Sequence, residues 1–285
     1  MLSTLLPIIA AFLQASSFTL DKVILSVKRV DFKTYIGVSF PLIFLINLAI
    51  FFIFRPPFSL ELLSGRLLFF LLASVFLSIC TNILYYRALD RDKLTEMEVI
   101  GLLSTIPVVI FSGVIFADER NFYILIPALV AFTAIVWSHW KGGKILIKKD
   151  TRPFLIWMLL LAPLGAALSK ILLQSWNPIS LELVRSAVLI AALTPLFHKN
   201  LEKVSPKAML LLLLTNILTA VAWIFFYFSF KISGVVYTLL LFSLQPLLVY
   251  FAAVFILKEK FERKKFIAFM VVLASIAIAQ FFTGE

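Results

Sequence analysis

The stretch Ala208–Phe230, with the sequence AMLLLLLTNILTAVAWIFFYFSF, decides the fold class because its 23 residues include no charged one. A helix needs about 20 mostly apolar residues to cross the hydrocarbon core of a bilayer, so this stretch is long enough. The chain contains nine further apolar runs of comparable length, at Leu2–Val27, Tyr35–Phe54, Leu67–Tyr86, Val99–Ala117, Phe122–Trp140, Phe154–Leu173, Pro178–Phe197, Ser233–Leu257 and Phe266–Phe282. The sequence therefore predicts an all-α integral membrane protein with ten transmembrane helices.

The composition of the whole chain excludes other classes of protein. Of its 285 residues, 62% are hydrophobic and 14% are charged, and the mean hydropathy is +1.06. Soluble domains have about 45–50% apolar and about 25% charged residues, and disordered chains are less hydrophobic still. A transmembrane β-barrel is excluded because the runs are too long and do not alternate apolar with polar residues. We therefore expect lipid around the outer faces of the helices.

The basic residues indicate how the chain is oriented. Lys and Arg number 26 against 15 Asp and Glu, which gives a net charge of +11. They lie in short gaps between apolar runs, as in cytoplasmic loops, so we expect no nucleic-acid partner. The odd-numbered connections contain 19 of them and the even-numbered connections contain four. By the positive-inside rule, this asymmetry predicts that both ends of the chain are outside the cell.

Four features recur in the same order in the two halves of the chain. Lys22 and Lys170 lie in similar segments 148 positions apart, and two mid-run prolines, Pro107 and Pro246, are 139 positions apart. The other two pairs are Ile83–Leu89 with Ile224–Phe230 and Asp118–Arg120 with Lys258–Lys260. They predict a five-helix repeat over residues 1–140, a basic connecting loop over 141–152 and a second five-helix repeat over 153–285. Because five is odd, the second repeat enters the membrane from the opposite side, an inverted arrangement typical of secondary transporters.

These motifs resemble those of a known family. Tyr85–Leu89 and the proline of run four resemble the first EamA domain of the drug/metabolite transporter superfamily, and Phe226–Ser233, Pro246 and Leu257–Lys260 resemble the second. The resemblance implies a multi-pass transporter in the cell membrane, with amino acids and related metabolites or drug-like compounds as substrate classes. It also implies that both ends of the chain are inside, which conflicts with the loop charges. We expect a monomer or a homodimer.

Polar residues in the apolar runs are the candidates for substrate binding. Six are uncharged or aromatic and lie on runs one, three, eight and nine: Gln14, Asn82, Tyr86, Trp223, Tyr227 and Gln245. The seventh, Lys170 on run six, is a charged group at membrane depth, where charges are costly and often functional. Transporters place substrate sites where repeats meet, which favours the five residues on the repeat-related helices three, eight and nine: Asn82, Tyr86, Trp223, Tyr227 and Gln245. The alternatives are ordinary hydrogen bonds between helices and aromatic anchors at the membrane surface.

Other residues are candidates for proton coupling or gating. Glu98 opens run four, and a carboxylate partly withdrawn from water can exchange protons near neutral pH, although a helix dipole also accounts for it. Pro107 and Pro246 interrupt runs four and nine and predict bending points or simple kinks.

Two pairs of charged residues have a simpler interpretation. Asp21 and Lys22 are expected to reach the nearby membrane surface, and the alternative is a role in substrate binding. Glu182 and Arg185, three residues apart, are expected to neutralise each other as a structural pair.

Motifs for catalysis and metal binding are absent from the sequence. It contains no Walker A motif, no HExxH, no GxSxG and a single cysteine, Cys80. We therefore expect no enzyme activity, no bound metal and no cofactor. The sequence favours secondary active transport of a small polar or amphipathic metabolite by alternating access, with possible coupling to protons. The alternatives are a translocase for lipids or lipid-linked carriers and a non-transporting membrane subunit for assembly or sensing.

Overall fold

The computed structural model describes residues 2–26, 30–92, 94–138, 140, 151–197, 204–256 and 260–283. Within these ranges the helices are α1 (Leu2–Leu25), α2 (Phe32–Phe54), α3 (Gly65–Arg91), α4 (Leu94–Ile115), α5 (Phe122–Ser138), α6 (Arg152–Ser175), α7 (Pro178–Phe197), α8 (Pro206–Ser233), α9 (Val235–Phe242), α10 (Leu244–Phe255) and α11 (Arg263–Thr283). Eight helical segments, one of them comprising α9 and the start of α10, are long and apolar enough to cross a membrane, and α4 and α5 contain shorter apolar helices. The ten predicted spans and the all-α membrane fold are thus confirmed.

Local capping explains where several spans begin. Asp31 precedes α2 and its Oδ1 accepts a hydrogen bond from the Thr34 backbone N–H at 2.9 Å. Ser205 precedes α8 and caps it in the same way through the Ala208 N–H at 3.3 Å. Both side chains satisfy a backbone donor that the first turn of a helix leaves without a partner. The predicted basic loop at 141–152 lies outside the described residues except for its last two, and α6 already begins at Arg152.

The ninth span is divided, unlike its counterpart in the first half. The single run predicted at Ser233–Leu257 forms α9 and α10, with Ser243 between them. Pro246 follows the break, and its lack of an N–H removes the hydrogen bond that would continue the helix. Before the break, the Ser243 N–H still donates to the carbonyls of Leu239 and Leu240 at 2.9 and 3.2 Å, so the helical hydrogen bonds of α9 continue up to Ser243. Pro107, by contrast, lies within a continuous α4.

Packing between the halves dominates the structure. Each helix of the first half makes its most extensive contacts with a helix of the second half: α1 with α8, α2 with α7, α3 and α4 with α6, and α5 with α11. If each helix is replaced by its counterpart in the other half, the α1–α8 contact becomes the α6–α3 contact. The α2–α7 and α5–α11 contacts each remain the same pair. This pairing is what two equivalent repeats are expected to make.

The outer surface of the bundle is apolar. Large side chains such as Phe52, Ile53, Leu160 and Phe281 are exposed on helices of both halves. A soluble monomer rarely exposes so many large apolar groups, whereas lipid tails cover them without cost. The polar side chains are therefore concentrated inside the bundle, where the candidate site lies.

Candidate functional site

A cavity of about 430 Å³ lies between the two halves of the protein. Its walls come from helices of both halves, including α1, α3, α7, α8 and α10. Sites for small molecules usually have volumes of about 300–1,000 Å³, so the cavity can hold a small metabolite.

Six of the seven residues predicted to bind substrate line this cavity. They are Gln14 on α1, Asn82 and Tyr86 on α3, Trp223 and Tyr227 on α8, and Gln245 on α10. Pro246, predicted as a gating residue, lines it as well. Lys170 is not among the lining residues and lies elsewhere in the fold. The part of Pro107 in gating stays a prediction, and the Glu98 side chain lies outside the described residues.

The side of the cavity formed by α8 is aromatic. Trp223, Phe226 and Tyr227 are spaced three and four residues apart, so they lie on one face of the helix. The Trp223 ring centroid is 5.2 Å from that of Phe226 and 5.7 Å from that of Tyr227. Phe230, one turn further on, continues this wall, and its centroid is 4.5 Å from that of Phe226. These rings pack edge-on or tilted against one another and offer a stiff apolar surface for the apolar portion of a ligand.

Arg185 and Glu182 form a charged pair in the wall of the cavity. Arg185 is buried, and its Nη1 lies 3.5 Å from Glu182 Oε1. Its Nη2 donates to Ser169 Oγ at 3.0 Å, and the guanidinium carbon lies 4.9 Å from the centroid of the Tyr227 ring. Among the described residues, Nε of Arg185 has no hydrogen-bond partner.

This pair is the only charged group among the described residues that line the cavity. Its 3.5 Å contact is longer than the 2.7–2.9 Å typical of a charge-assisted hydrogen bond. This long contact leaves Nη1 with capacity for a further acceptor, whereas the unpartnered Nε is itself buried. Sequence reasoning identified the pair but assigned it a structural role, because spacing along a helix shows a partner and does not show a neighbouring cavity.

Lys170, near the end of α6, meets acidic side chains from the segment that follows α4. Its Nζ lies 2.5 Å from Asp118 Oδ2 and contacts Glu119 Oε1. Nζ also lies 4.7 Å from the centroid of the Phe116 ring. Asp118 is largely exposed, whereas Glu119 is buried, so the inner contact is the one between Lys170 and Glu119.

Glu119 also caps the start of α9. The backbone N–H groups of Val235 and Val236 donate to its two carboxylate oxygens at 2.6 and 3.0 Å. A carboxylate is favoured at this position by the unsatisfied N–H groups and the dipole of the helix. Gly234 precedes the helix with φ of 82°, and a Cβ there would lie 2.7 Å from Glu119 Oε1. One carboxylate therefore joins α6, α9 and the end of α4.

A second recess lies next to this junction. It has a volume of about 620 Å³ and is lined by Lys170, Asp118 and residues at the α8–α9 connection. Phe230 lines both this recess and the central cavity. The Lys170–Glu119 junction and Phe230 thus lie at one end of the cavity, on the side of the even-numbered connections.

Asp21 lies inside the protein and does not reach the membrane surface as expected, whereas its neighbour Lys22 is half-buried. Lys22 Nζ donates to the carbonyls of Leu89 and Asp92 at 2.7 and 2.6 Å, at the end of α3. Asp21 is fully buried, with no exposed surface. The reason is that α8 and α2 cover this part of α1, and no pattern within α1 could reveal those partners.

Comparison with known proteins supports the fold that the sequence predicts. Residues 153–281 match the model of the EamA-like transporter family. A crystal structure of another protein has a TM-score of 0.73 and 16% sequence identity, over 98% of this chain and 96% of that one. At this identity the likeness concerns the fold alone. No curated protein matches the chain. Within the described residues, no group of three or more His, Cys, Asp or Glu side chains could hold a metal ion.

Proposed function

We propose that this chain, whose residues 153–281 match the model of the EamA-like transporter family, is a secondary active transporter of the drug/metabolite transporter superfamily. It moves a small polar or amphipathic metabolite across the membrane by alternating access. The observation that carries this proposal is the central cavity of about 430 Å³, which is lined by helices of both halves. A cavity between two halves becomes accessible from either side when the halves rock against each other.

The lining of the cavity favours an amphipathic substrate. The apolar portion lies against Trp223, Phe226 and Tyr227, whose rings form the aromatic wall. A polar or charged head group lies at Arg185 and Glu182, the only charged side chains among the described residues that line the cavity. A substrate with both features would satisfy the buried charged pair and remove apolar surface from water.

A thermal-shift screen of the purified full-length protein tests this proposal. The probes are amino acids, nucleotides, polyamines, organic cations and lipids, and the measured quantity is the melting temperature. A ligand that binds only the folded protein adds about 2.7 kcal/mol of stability at a hundredfold excess over its Kd. We expect a saturable shift from one class of amphipathic metabolite and flux of that class in liposomes. Shifts from lipids alone, or no flux of any probe, would contradict the proposal.

Substitutions in the lining separate binding from folding. We expect Tyr227→Ala and Asn82→Ala to abolish most of the ligand-induced shift while the melting temperature without ligand stays close to that of the wild type. Tyr123→Ala is the matched control, since Tyr123 is an exposed tyrosine on α5 outside the cavity. If all three variants bound the ligand equally well, the cavity would not be the substrate site.

A further inference from the structure

A chain of hydrogen-bonded side chains joins α1 to α8 and ends at the central cavity. Asp21 and Ser17 are one turn apart on α1, and Thr215 and Thr219 are one turn apart on α8. Thr215 Oγ1 donates to Asp21 Oδ1 at 2.6 Å, and the hydroxyls of Ser17 and Thr215 are 2.8 Å apart. The hydroxyls of Ser17 and Thr219 are 2.5 Å apart, and Thr219 lines the cavity. The chain therefore runs from a buried carboxylate to the candidate substrate site.

The carboxylate at the inner end of this chain has no cationic partner. Asp21 Oδ1 accepts from Thr215 and from the Tyr35 hydroxyl, the latter at 2.5 Å, and Oδ2 has no hydrogen-bond partner. Within the described part of the chain, Asp21 makes no ion pair. An ionised carboxylate buried without a counter-charge is costly, and carboxyl groups inside membrane spans often belong to proton relays.

The charged and titratable groups around Asp21 come from three helices. On α1 itself, Lys22 follows it but directs its Nζ to the carbonyls of Leu89 and Asp92. On α2 the facing group is Tyr35, and on α3 it is Tyr86, whose ring centroid is 4.5 Å from that of Tyr35. The facing residue on α8, Thr215, does not titrate.

We propose that Asp21 is a proton-binding site whose occupancy is coupled to substrate binding through Thr215, Ser17 and Thr219. This inference rests on the proposed transport function and goes beyond it by naming the coupling site. It assigns proton coupling to a residue other than Glu98, which is the candidate predicted from the sequence. The ligand is a single proton taken from the aqueous phase, which converts the carboxylate to a carboxylic acid, and no other bond is made or broken.

The direction of the hydrogen bonds provides the coupling. Each hydroxyl has one proton to donate. When Asp21 is ionised, Thr215 donates to it, Ser17 donates to Thr215, and Thr219 donates to Ser17, so Thr219 offers only acceptor capacity to the cavity. When Asp21 carries a proton it can donate to Thr215, which releases Ser17 and Thr219 to reverse their bonds. The Thr219 hydroxyl can then donate to a ligand in the cavity.

The location of the chain links the proton to the movement of the halves. α1 belongs to the first half and α8 to the second, and the two helices make the most extensive contact between halves. Asp21 is fully buried in this interface. Separation of α1 from α8 at this end would break the hydrogen bonds and give Asp21 access to water, so that proton exchange and substrate exchange require the same opening.

Infrared difference spectroscopy of the full-length protein in nanodiscs tests the proton site without any substrate. The probe is the proton, varied between acidic and alkaline buffer, and the signal is the carbonyl band of a buried carboxylic acid. We expect Asp21→Asn to remove one such band. The control is Asp90→Asn, near the end of α3 that Lys22 contacts, and this variant should keep the band. A wild-type spectrum with no such band, or a band that persists in Asp21→Asn, would overturn the proposal.

Transport in liposomes tests the coupling, with the probe identified by the thermal-shift screen. We expect Asp21→Asn to lose accumulation driven by a pH gradient to a greater extent than it loses exchange without a gradient. Ser17→Ala keeps the Tyr35 and Thr215 contacts of Asp21, so it should retain the infrared band and lose the pH-driven component. Asp90→Asn should retain both.

The outcomes distinguish this inference from the function on which it rests. If the wild type transports no probe at all, the transport function fails. If it transports a probe equally well with and without a pH gradient, or if Asp21→Asn accumulates it as the wild type does, only the coupling inference fails. The melting temperature of each variant shows whether a loss reflects unfolding, and Ser17→Ala keeps the test available if Asp21→Asn does not fold.

Discussion

Arg185 and Glu182 depend on each other because each is a charge withdrawn from water. Removing one partner leaves the other uncompensated in the wall of the cavity, which destabilises a protein more than removing both. Glu182 is slightly exposed to the cavity and Arg185 is almost fully buried, so the penalty is larger when Glu182 is the residue removed. The pair therefore contributes to stability and to the site together, and mutations can separate the two contributions.

We expect Glu182→Gln and Arg185→Gln each to lower the melting temperature, with the larger decrease for Glu182→Gln. The double variant should recover part of that loss, because it contains no unpaired charge. Neither the single variants nor the double variant should show the ligand-induced shift of the wild type. Scanning calorimetry with and without ligand measures both effects. A double variant that binds as the wild type does would show that the pair only supports the fold.

Sequence reasoning at the scale of residues identified which polar groups lie inside the bundle. The sequence predicts Asn82 and Tyr227 because they are polar residues on repeat-related helices, and both line the cavity, as does Gln14 on α1. Lys170 does not line it, because its long side chain reaches Glu119, which is 51 positions earlier in the chain. Such distant partners leave no local signal. The burial of Asp21 against Thr215 was undetectable for the same reason.

The two ends of the cavity differ at α9. Glu119 caps the first turn of α9 and forms an ion pair with Lys170 of α6. This junction connects the segment after α4 in the first half with α6 and α9 in the second. Phe230 lies between the cavity and the outer recess next to it. A junction that must break before these helices can separate acts as a gate for this end of the cavity.

We expect Lys170→Met to open this end more often, because Glu119 would still cap α9 but would no longer hold α6. The measurement is the rate at which a membrane-impermeant maleimide labels Phe230→Cys in a Cys80→Ser background, which removes the only native cysteine. Lys231→Met is the matched control, since Lys231 donates to the Trp176 carbonyl at the same end. Equal labelling rates with and without Lys170 would contradict the gate.

Hydropathy located the helical spans well, because a bilayer imposes both the length and the apolar character of a helix. The division of the ninth span at Ser243 could not be read from hydropathy, because α9 and α10 are both apolar. The two mid-run prolines predicted equivalent kinks. Only Pro246 lies beside a break, whereas α4 continues through Pro107. A proline in a sequence predicts that one helical hydrogen bond is missing. The packing around the proline determines whether the helix breaks there or continues.

At the scale of the whole molecule, the two ends of the bundle differ in charge. The 19 basic residues of the odd-numbered connections predict that this end faces the cytoplasm, with Asp21 near it and the Lys170–Glu119 junction at the opposite end. Resemblance to the family predicts the reverse. We expect an alkaline phosphatase fusion after Glu285 to be active and a green fluorescent protein fusion there to be dark. The opposite pair of results would place both ends of the chain inside.

The pairing of α1 with α8 has a consequence for how the protein is made. Thr215 follows Asp21 by 194 positions, so at about 5–20 residues per second the ribosome delivers it roughly 10–40 s later. During that interval α1 is already in the membrane, and its carboxylate and the Ser17 hydroxyl lack their partners on α8. The nascent first half is thus an intermediate with uncovered polar groups in lipid, which insertion chaperones would have to shield until the second half arrives.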